Sequence, residues 1–309
     1  MTYKLPLEDE PSRLDEFGPI FVMGCPRSGT TFLSKCIGLL PTIKEKTGVL
    51  CPPRMIHAIA NEKDIRIKEI ILDTTRDIFW NYFWRRIYFK ENKLVDLIKN
   101  NISIKEFLGK PALEGNLFCY KEPFLCFAAK EFAEYYAESK FIHIVRNGLD
   151  VADSMSRSYG DALSDDVLSS TYLSKNKNSE IGFFKNIDGF NYPYWLKKND
   201  YKTFNDSSKF GRYLFLWREM VSKALELKNH LPAERYLEIR YEEFVKNPVF
   251  IGNKIREFLE VPDSKSFQNS LKKALLTSID LALKNQTTQK INQTKDIAEK
   301  MLRKLNYTK

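Results

Sequence analysis

The amino-acid sequence predicts an α/β protein, a parallel sheet flanked by helices, and two stretches carry that prediction. Pro19-Ile20-Phe21-Val22-Met23-Gly24 is an apolar run of strand length that leads through a Gly/Ser/Thr turn into the helical pattern Phe32, Leu33, Cys36, Leu39, Leu40. Phe141-Ile142-His143-Ile144-Val145 repeats the arrangement, passing through a polar turn into Leu149, Val151, Ala152 and Met155. Strands that alternate with helices pair in parallel and bury both faces of their sheet. Leu117-Phe118-Cys119-Tyr120 and Arg235-Tyr236-Leu237-Glu238-Ile239 are shorter strand candidates, while 124–137, 207–228 and 248–259 carry helical spacing of apolar residues.

No repeat, low-complexity tract or long Pro/Gly linker divides the 309 residues. A single domain over 1–309 is therefore expected, with core motifs at 17–40, 117–160 and 207–262 and a helical C-terminal segment at 265–309. Between the core motifs lie insertions at about 42–110 and 160–206, long enough to give a generic core its specificity. They are rich in aromatics: Phe79-Trp80, Tyr82-Phe83-Trp84 and Tyr88-Phe89 in the first, Phe183-Phe184 and Tyr192-Pro193-Tyr194-Trp195 in the second. The cluster 79–89 reads either as the lining of a ligand cleft or as a core face rimmed by Arg85, Arg86 and Lys90.

Hydrophobic residues make up 43% of the chain and aromatics 13%, which excludes a disordered protein. No apolar run approaches the roughly 18–20 residues that span a bilayer. Met1 to Pro11 is acidic and Pro-containing rather than basic then apolar, so no secretory leader is expected. The formal net charge of +9 favours an anionic ligand, but the charge is scattered rather than blocked, and no nucleic-acid partner is expected. Five cysteines (Cys25, Cys36, Cys51, Cys119, Cys126) without a Cys-x-x-Cys pair fit neither a disulfide framework nor a zinc site. They point to a reducing, cytoplasmic location.

Gly24-Cys25-Pro26-Arg27-Ser28-Gly29-Thr30-Thr31 lies between strand and helix, where backbone N–H groups and a helix N-terminus can surround an anion. Its Gly, four residues, Gly spacing matches the first half of the nucleoside-triphosphate P-loop. Thr30-Thr31 then stands where that pattern demands Lys followed by Ser or Thr. The second strand ends in Arg146, where a triphosphatase would place a magnesium-binding Asp, so the ligand is expected to be held without metal. Arg146-Asn147-Gly148 followed by Ser154 supplies a second anion site, a guanidinium at a strand end and a hydroxyl two helical turns onward. Two sites imply a ligand with two separated phosphates. From the residues alone the plainer readings stay open: a turn capped by Ser28 or Thr30, a surface Arg146 and a solvated Ser154.

Together these motifs resemble the sulfotransferases that use 3′-phosphoadenosine 5′-phosphosulfate (PAPS). Cys25-Pro26-Arg27-Ser28-Gly29-Thr30-Thr31 looks like their 5′-phosphosulfate loop, and Val145-Arg146-Asn147-Gly148 through Ser154-Met155 like their 3′-phosphate motif. The likeness is greatest to the tyrosylprotein-sulfotransferase-like branch, where Lys121-Glu122-Pro123-Phe124 matches a Lys-Asp-Pro-Phe segment. Tyr241-Glu242 before Phe244-Val245-Lys246-Asn247-Pro248 is similar to that branch's late Tyr-Glu segment. Likeness covers 19–39, 117–158 and 235–262, and is weaker in 282–307, which includes Lys290-Ile291 and Leu305-Asn306-Tyr307.

The resemblance implies a P-loop-type fold and transfer of a sulfuryl group from PAPS to a hydroxyl-bearing acceptor: carbohydrate, lipid, small molecule or peptide tyrosine. Arg27, Ser28, Gly29, Thr30, Thr31, Arg146, Ser154, Tyr241 and Lys290 are the expected donor-binding residues. Charge builds on the leaving oxygen in such a transfer, so cations placed there do much of the work, and Lys121 and Arg27 are the catalytic candidates. The acceptor hydroxyl needs a base. The branch has a glutamate in the loop after the first helix, whereas Pro41 to Arg54 here holds only Glu45, with Thr47-Gly48 nearest the expected place. Glu45, His57 and Glu122 are all candidates. The competing functions are a P-loop kinase or nucleotidase, disfavoured by Thr30 and Arg146, and a nucleotide-binding module without chemistry.

Overall fold

The computed structural model describes residues 18–47, 50–91, 117–159, 162–169, 184–274 and 279–307. Its strands are β1 (Ile20–Met23), β2 (Ile43–Thr47), β3 (Leu117–Lys121), β4 (Lys140–Val145), β5 (Phe184–Ile187), β6 (Phe190–Pro193) and β7 (Tyr236–Arg240). Five of them form one sheet in the order β2-β3-β1-β4-β7, parallel throughout. Val22 lies opposite Lys121 on one side and Ile142 on the other, which brings the carboxyl ends of β1, β3 and β4 to one edge. The other two strands form an antiparallel hairpin whose Asp188-Gly189 turn has positive φ at both residues (50° and 85°), the twist a two-residue hairpin needs.

Alternate residues of the central strands enter two cores, as burial on both faces requires. Phe21, Phe118, Tyr120, Phe141 and Val145 pack with α3 (Ile65–Glu91), α4 (Ala129–Tyr135), α5 (Gly148–Ser158) and α8 (Lys209–His230). Ile20, Val22, Cys119, Ile142, Ile144 and Ile239 pack on the other face with α1 (Thr30–Ile37), α10 (Pro248–Leu259) and α11 (Lys265–Leu271). The remaining helices are α2 (Pro53–Asn61), α6 (Asp165–Leu168), α7 (Tyr201–Asn205), α9 (Tyr241–Lys246), α12 (Leu281–Lys284) and α13 (Thr288–Lys304). No helix among the described residues is long and apolar enough to cross a membrane.

Three details differ from the sequence reading or extend it. The helical spacing at 124–137 becomes a 3₁₀ segment, Pro123–Ala128, before α4: Pro123 brings no donor, and the Glu122 carboxylate takes the Phe124 N–H. The insertion after α1 supplies an edge strand, because the charged run Ile43-Lys44-Glu45-Lys46-Thr47 pairs along β3 despite carrying no apolar alternation. Phe79 belongs to the core, fully buried against Phe21, Phe118, Tyr120, Phe132 and Tyr136. The side chains of Trp80, Phe83, Trp84, Arg85, Arg86, Tyr88, Phe89 and Lys90 lie outside the described set, as do Phe183 and Met1 to Pro11.

The strand order sets the site. After β1 the chain crosses to β2 on one side, and after β3 it returns past β1 to β4 on the other. The loop following β1 therefore opens at the point where the winding reverses, the crevice that open α/β sheets use for ligands.

Candidate active site

Between β1 and α1 the backbone turns too tightly for ordinary residues. Gly24 has φ +147°, and a Cβ there would lie 2.3 Å from the Ile144 carbonyl oxygen. Gly29 has φ +92° and would press a Cβ to 2.8 Å from the Tyr241 ring. Arg27 adopts φ 71°, a left-handed conformation that costs a non-glycine residue about 1–3 kcal/mol. Gly29 is the N-cap of α1, and no side chain caps the helix. The turn capped by Ser28 or Thr30 is thus not what the chain forms. Instead the Ser28 hydroxyl is buried with no hydrogen-bond partner among the described residues. A buried orphan hydroxyl beside an uncapped helix N-terminus is costly by itself, and the pair forms a site suited to an anion. Thr30 is also buried, while Arg27 and Thr31 are exposed.

The second motif is joined to the first. Arg27 Nε donates to Ser154 Oγ at 3.0 Å, across 127 positions of sequence. Arg146 is 6% exposed, which removes the surface-arginine reading. Its Nη1 donates to the Arg27 carbonyl at 2.8 Å, its Nη2 lies 3.5 Å from Asp150 Oδ2, and its guanidinium stands 4.5 Å from the centre of the Tyr241 ring. Tyr241, which opens α9, thus packs against both this cation and Gly29. Trp217 Nε1 donates to the Arg146 carbonyl at 3.0 Å, and the indole fills the space a Gly148 side chain would need. Sequence reasoning missed Trp217 because its place in α8 carries only a core pattern.

Lys121 closes β3, half-buried, opposite Val22 and Thr47. Beside it Glu122 is 5% exposed, and its N–H donates to the Val22 carbonyl at 3.2 Å, fixing it beside the end of β1, two residues before the loop 24–31. Burial raises the Glu122 pKa, against the opposing effects of the Phe124 N–H and the Lys121 charge. His57 in α2 packs on Tyr194 with ring centres 3.9 Å apart, and burial, assisted by Lys185, lowers its pKa. The Tyr194 hydroxyl is buried and has no partner among the described residues. Glu45 lies within β2 opposite Cys119, two residues short of the Thr47–Lys121 level; its side chain and Gly48 lie outside the described set. Among the base candidates whose side chains are described, Glu122 is fixed beside the end of β1 and His57 packs on Tyr194.

Lys290 reaches α5 from α13, donating to Asp153 Oδ1 at 2.7 Å and to the Asn285 carbonyl at 3.1 Å. Asp150 accepts from the Asp280 and Ala282 N–H groups, each at 2.9 Å. The C-terminal segment is therefore fastened to the same helix that carries Ser154. All five cysteines are buried and free. Cys126, bonded to the Gly24 backbone, is pushed up to about 12 by burial, so it packs under the loop as a neutral thiol.

The model of the Sulfotransferase family matches residues 19–174, a span that contains the loop 24–31, Lys121, Arg146 and Ser154. The chain belongs to that family. Among solved structures, this sulfotransferase is similar to the sulfotransferase domain of the Synechococcus PCC 7002 olefin synthase, with TM-score 0.50 and 16% identity over 92% of this chain and 96% of that one. At that identity the likeness concerns the fold. Mouse sulfotransferase SULT7A1 complexed with PAP is also similar, with TM-score 0.44 and 16% identity over 94% and 87% of the two chains. A sequence comparison with curated proteins finds no match.

Proposed function

We propose that this sulfotransferase takes its sulfuryl group from PAPS and delivers it to a hydroxyl acceptor in the cytoplasm. The observation that carries the reading is the joined pair of anion motifs: an uncapped helix N-terminus with an orphaned buried Ser28 hydroxyl, bridged to Ser154 by Arg27. Arg27, Ser28, Gly29, Thr30 and Thr31 hold the 5′-phosphosulfate, and Arg146 with Ser154 holds the 3′-phosphate. The Tyr241 ring packs against the Arg146 guanidinium, and Lys290 pairs with Asp153 on the helix that carries Ser154. The donor supplies an activated sulfuryl group. Lys121 and Arg27 oppose the negative charge left on the nucleotide side, and Glu122 accepts the acceptor's proton, a task suited to a carboxylate whose burial raises its basicity. Buried free thiols agree with a reducing location.

The direct test is thermal stabilisation by 3′-phosphoadenosine 5′-phosphate in the absence of magnesium. A ligand at about 100 times its Kd adds about 2.7 kcal/mol, enough to move the melting temperature measurably. A larger shift with magnesium-ATP overturns the donor assignment in favour of a kinase or nucleotidase. Binding of the bisphosphate without transfer of label from PAPS to any acceptor in a cell extract leaves a binding module instead.

A further inference from the structure

One peptide unit at the proposed 3′-phosphate site is held at both of its polar ends by side chains from distant parts of the chain. The carbonyl of Arg146 accepts from Trp217 Nε1 at 3.0 Å, and the N–H of Asn147, the other end of the same planar unit, donates to Glu242 Oε1 at 2.9 Å. Fixing both ends fixes the backbone at the end of β4, from which the Arg146 side chain departs. The second oxygen of Glu242 is engaged as well: Tyr307 Oη donates to Oε2 at 2.8 Å. Tyr307 is itself held, with the Arg240 guanidinium 4.3 Å from its ring centre and Arg240 Nη1 donating to the Leu305 carbonyl at 2.7 Å. Burial, with the Glu242 charge adding to it, raises the Tyr307 pKa, which keeps the phenol a donor at any working pH.

We infer that Glu242 is a positioning residue for the 3′-phosphate site, orienting the Arg146–Asn147 peptide and anchoring it to the C-terminal Tyr307. The inference rests on the donor reading above. A carboxylate near a phosphate is electrostatically unfavourable, so its presence calls for a compensating gain. Two hydrogen bonds accepted by the two oxygens of one carboxylate supply it, and they make the order of Arg146 depend on residues 305–307.

The test compares the affinities of 3′-phosphoadenosine 5′-phosphate and adenosine 5′-phosphate by calorimetry for the wild type, Glu242→Ala, Glu242→Gln and Tyr307→Phe. Glu242→Ala is expected to weaken the bisphosphate about tenfold, the size of one lost hydrogen bond to a charged group, while changing the monophosphate little. Glu242→Gln keeps an oxygen for the Asn147 N–H and should stay within about threefold of the wild type, and Tyr307→Phe should lose roughly threefold, again only for the bisphosphate. In steady-state kinetics the loss should fall on the donor KM and leave kcat nearly unchanged. Equal loss for both nucleotides, or no loss, overturns the inference, and a Gln variant as weak as the Ala variant assigns the effect to charge and overturns it too. If Glu242→Ala does not fold, Tyr307→Phe decides by the same criterion. A wild type that does not distinguish the two nucleotides overturns the donor reading itself, a result separate from any of these.

Discussion

Lys121 and Glu122 are neighbours in sequence, yet the end of β3 gives them different environments and, on the proposed function, different tasks. Lys121 is half-buried at the strand's last position, and replacing it by Ala should leave affinity for 3′-phosphoadenosine 5′-phosphate nearly intact while turnover falls by roughly 10² to 10³. A parallel loss of affinity and turnover would instead make Lys121 a ground-state phosphate ligand. Glu122 has its pKa raised, chiefly by burial, so as a base it should give a rate that climbs with pH through a value above the ordinary carboxylate range. Glu122→Gln should lose roughly 10² to 10⁴ in turnover, and a variant with wild-type turnover would remove Glu122 as the base. The stability effect has the opposite sense. A carboxyl group whose folded pKa lies above its unfolded one favours folding only while protonated, and that contribution is lost as pH rises through the folded value. The Gln variant should therefore melt above the wild type at about pH 8 and at the same temperature at about pH 4. Neither the burial of Glu122 nor its placement beside Val22 was legible locally, since a Lys-Glu pair before proline reads equally as a solvated strand end.

The element that organises the site is α1 with the turn before it. Its apolar positions were legible in part: Leu33 and Cys36, expected from helical spacing, are buried, and so is Leu40 beyond its end, whereas Phe32 is only partly buried and Leu39 is exposed because the helix stops at Ile37. Its missing cap was not. The sequence offers Ser28 and Thr30 as caps, and only the path of the backbone, with Gly29 in the left-handed region as N-cap, leaves the helix end open. Gly29→Ala should cost about 1–2 kcal/mol in denaturant unfolding from the backbone alone, with the clash against Tyr241 added. Because that ring also carries Arg146, calorimetry should show loss of affinity for the bisphosphate nucleotide. Unchanged stability and affinity would mean that the turn relaxes freely and that the loop is not preorganised. β2 illustrates the opposite limit of legibility. Its residues alternate charge rather than hydrophobicity, and it is a strand because β3 presents an open edge to it.

Across the chain as a whole, segments far apart in sequence converge on α5. Asp150 links the backbone of Asp280 and Ala282 to Arg146, and Asp153 receives Lys290. Binding at the phosphate sites should therefore be felt in the C-terminal segment. Hydrogen–deuterium exchange with and without 3′-phosphoadenosine 5′-phosphate is expected to slow at 24–31 and 146–154, and also at 280–290. Protection confined to the first two stretches would mean that the C-terminal segment packs on α5 without sharing in the donor site.

What the sequence by itself determined is what depends on neighbours along the chain. Two apolar runs passing into helical patterns establish the α/β class, and the loop 24–31 and the Arg146–Ser154 motif mark the places proposed for the donor, because strand length, helical period and turn chemistry are local properties. What only the tertiary structure decided is which of those groups meet. The Arg27–Ser154 bond, the Trp217 and Glu242 hold on one peptide, and the Asp150 tie to the C-terminal segment each join residues more than 70 positions apart. Such pairings follow from the order β2-β3-β1-β4-β7, and a strand order is set by how two cores fill on opposite faces of a sheet, a balance of long-range packing that no local pattern contains.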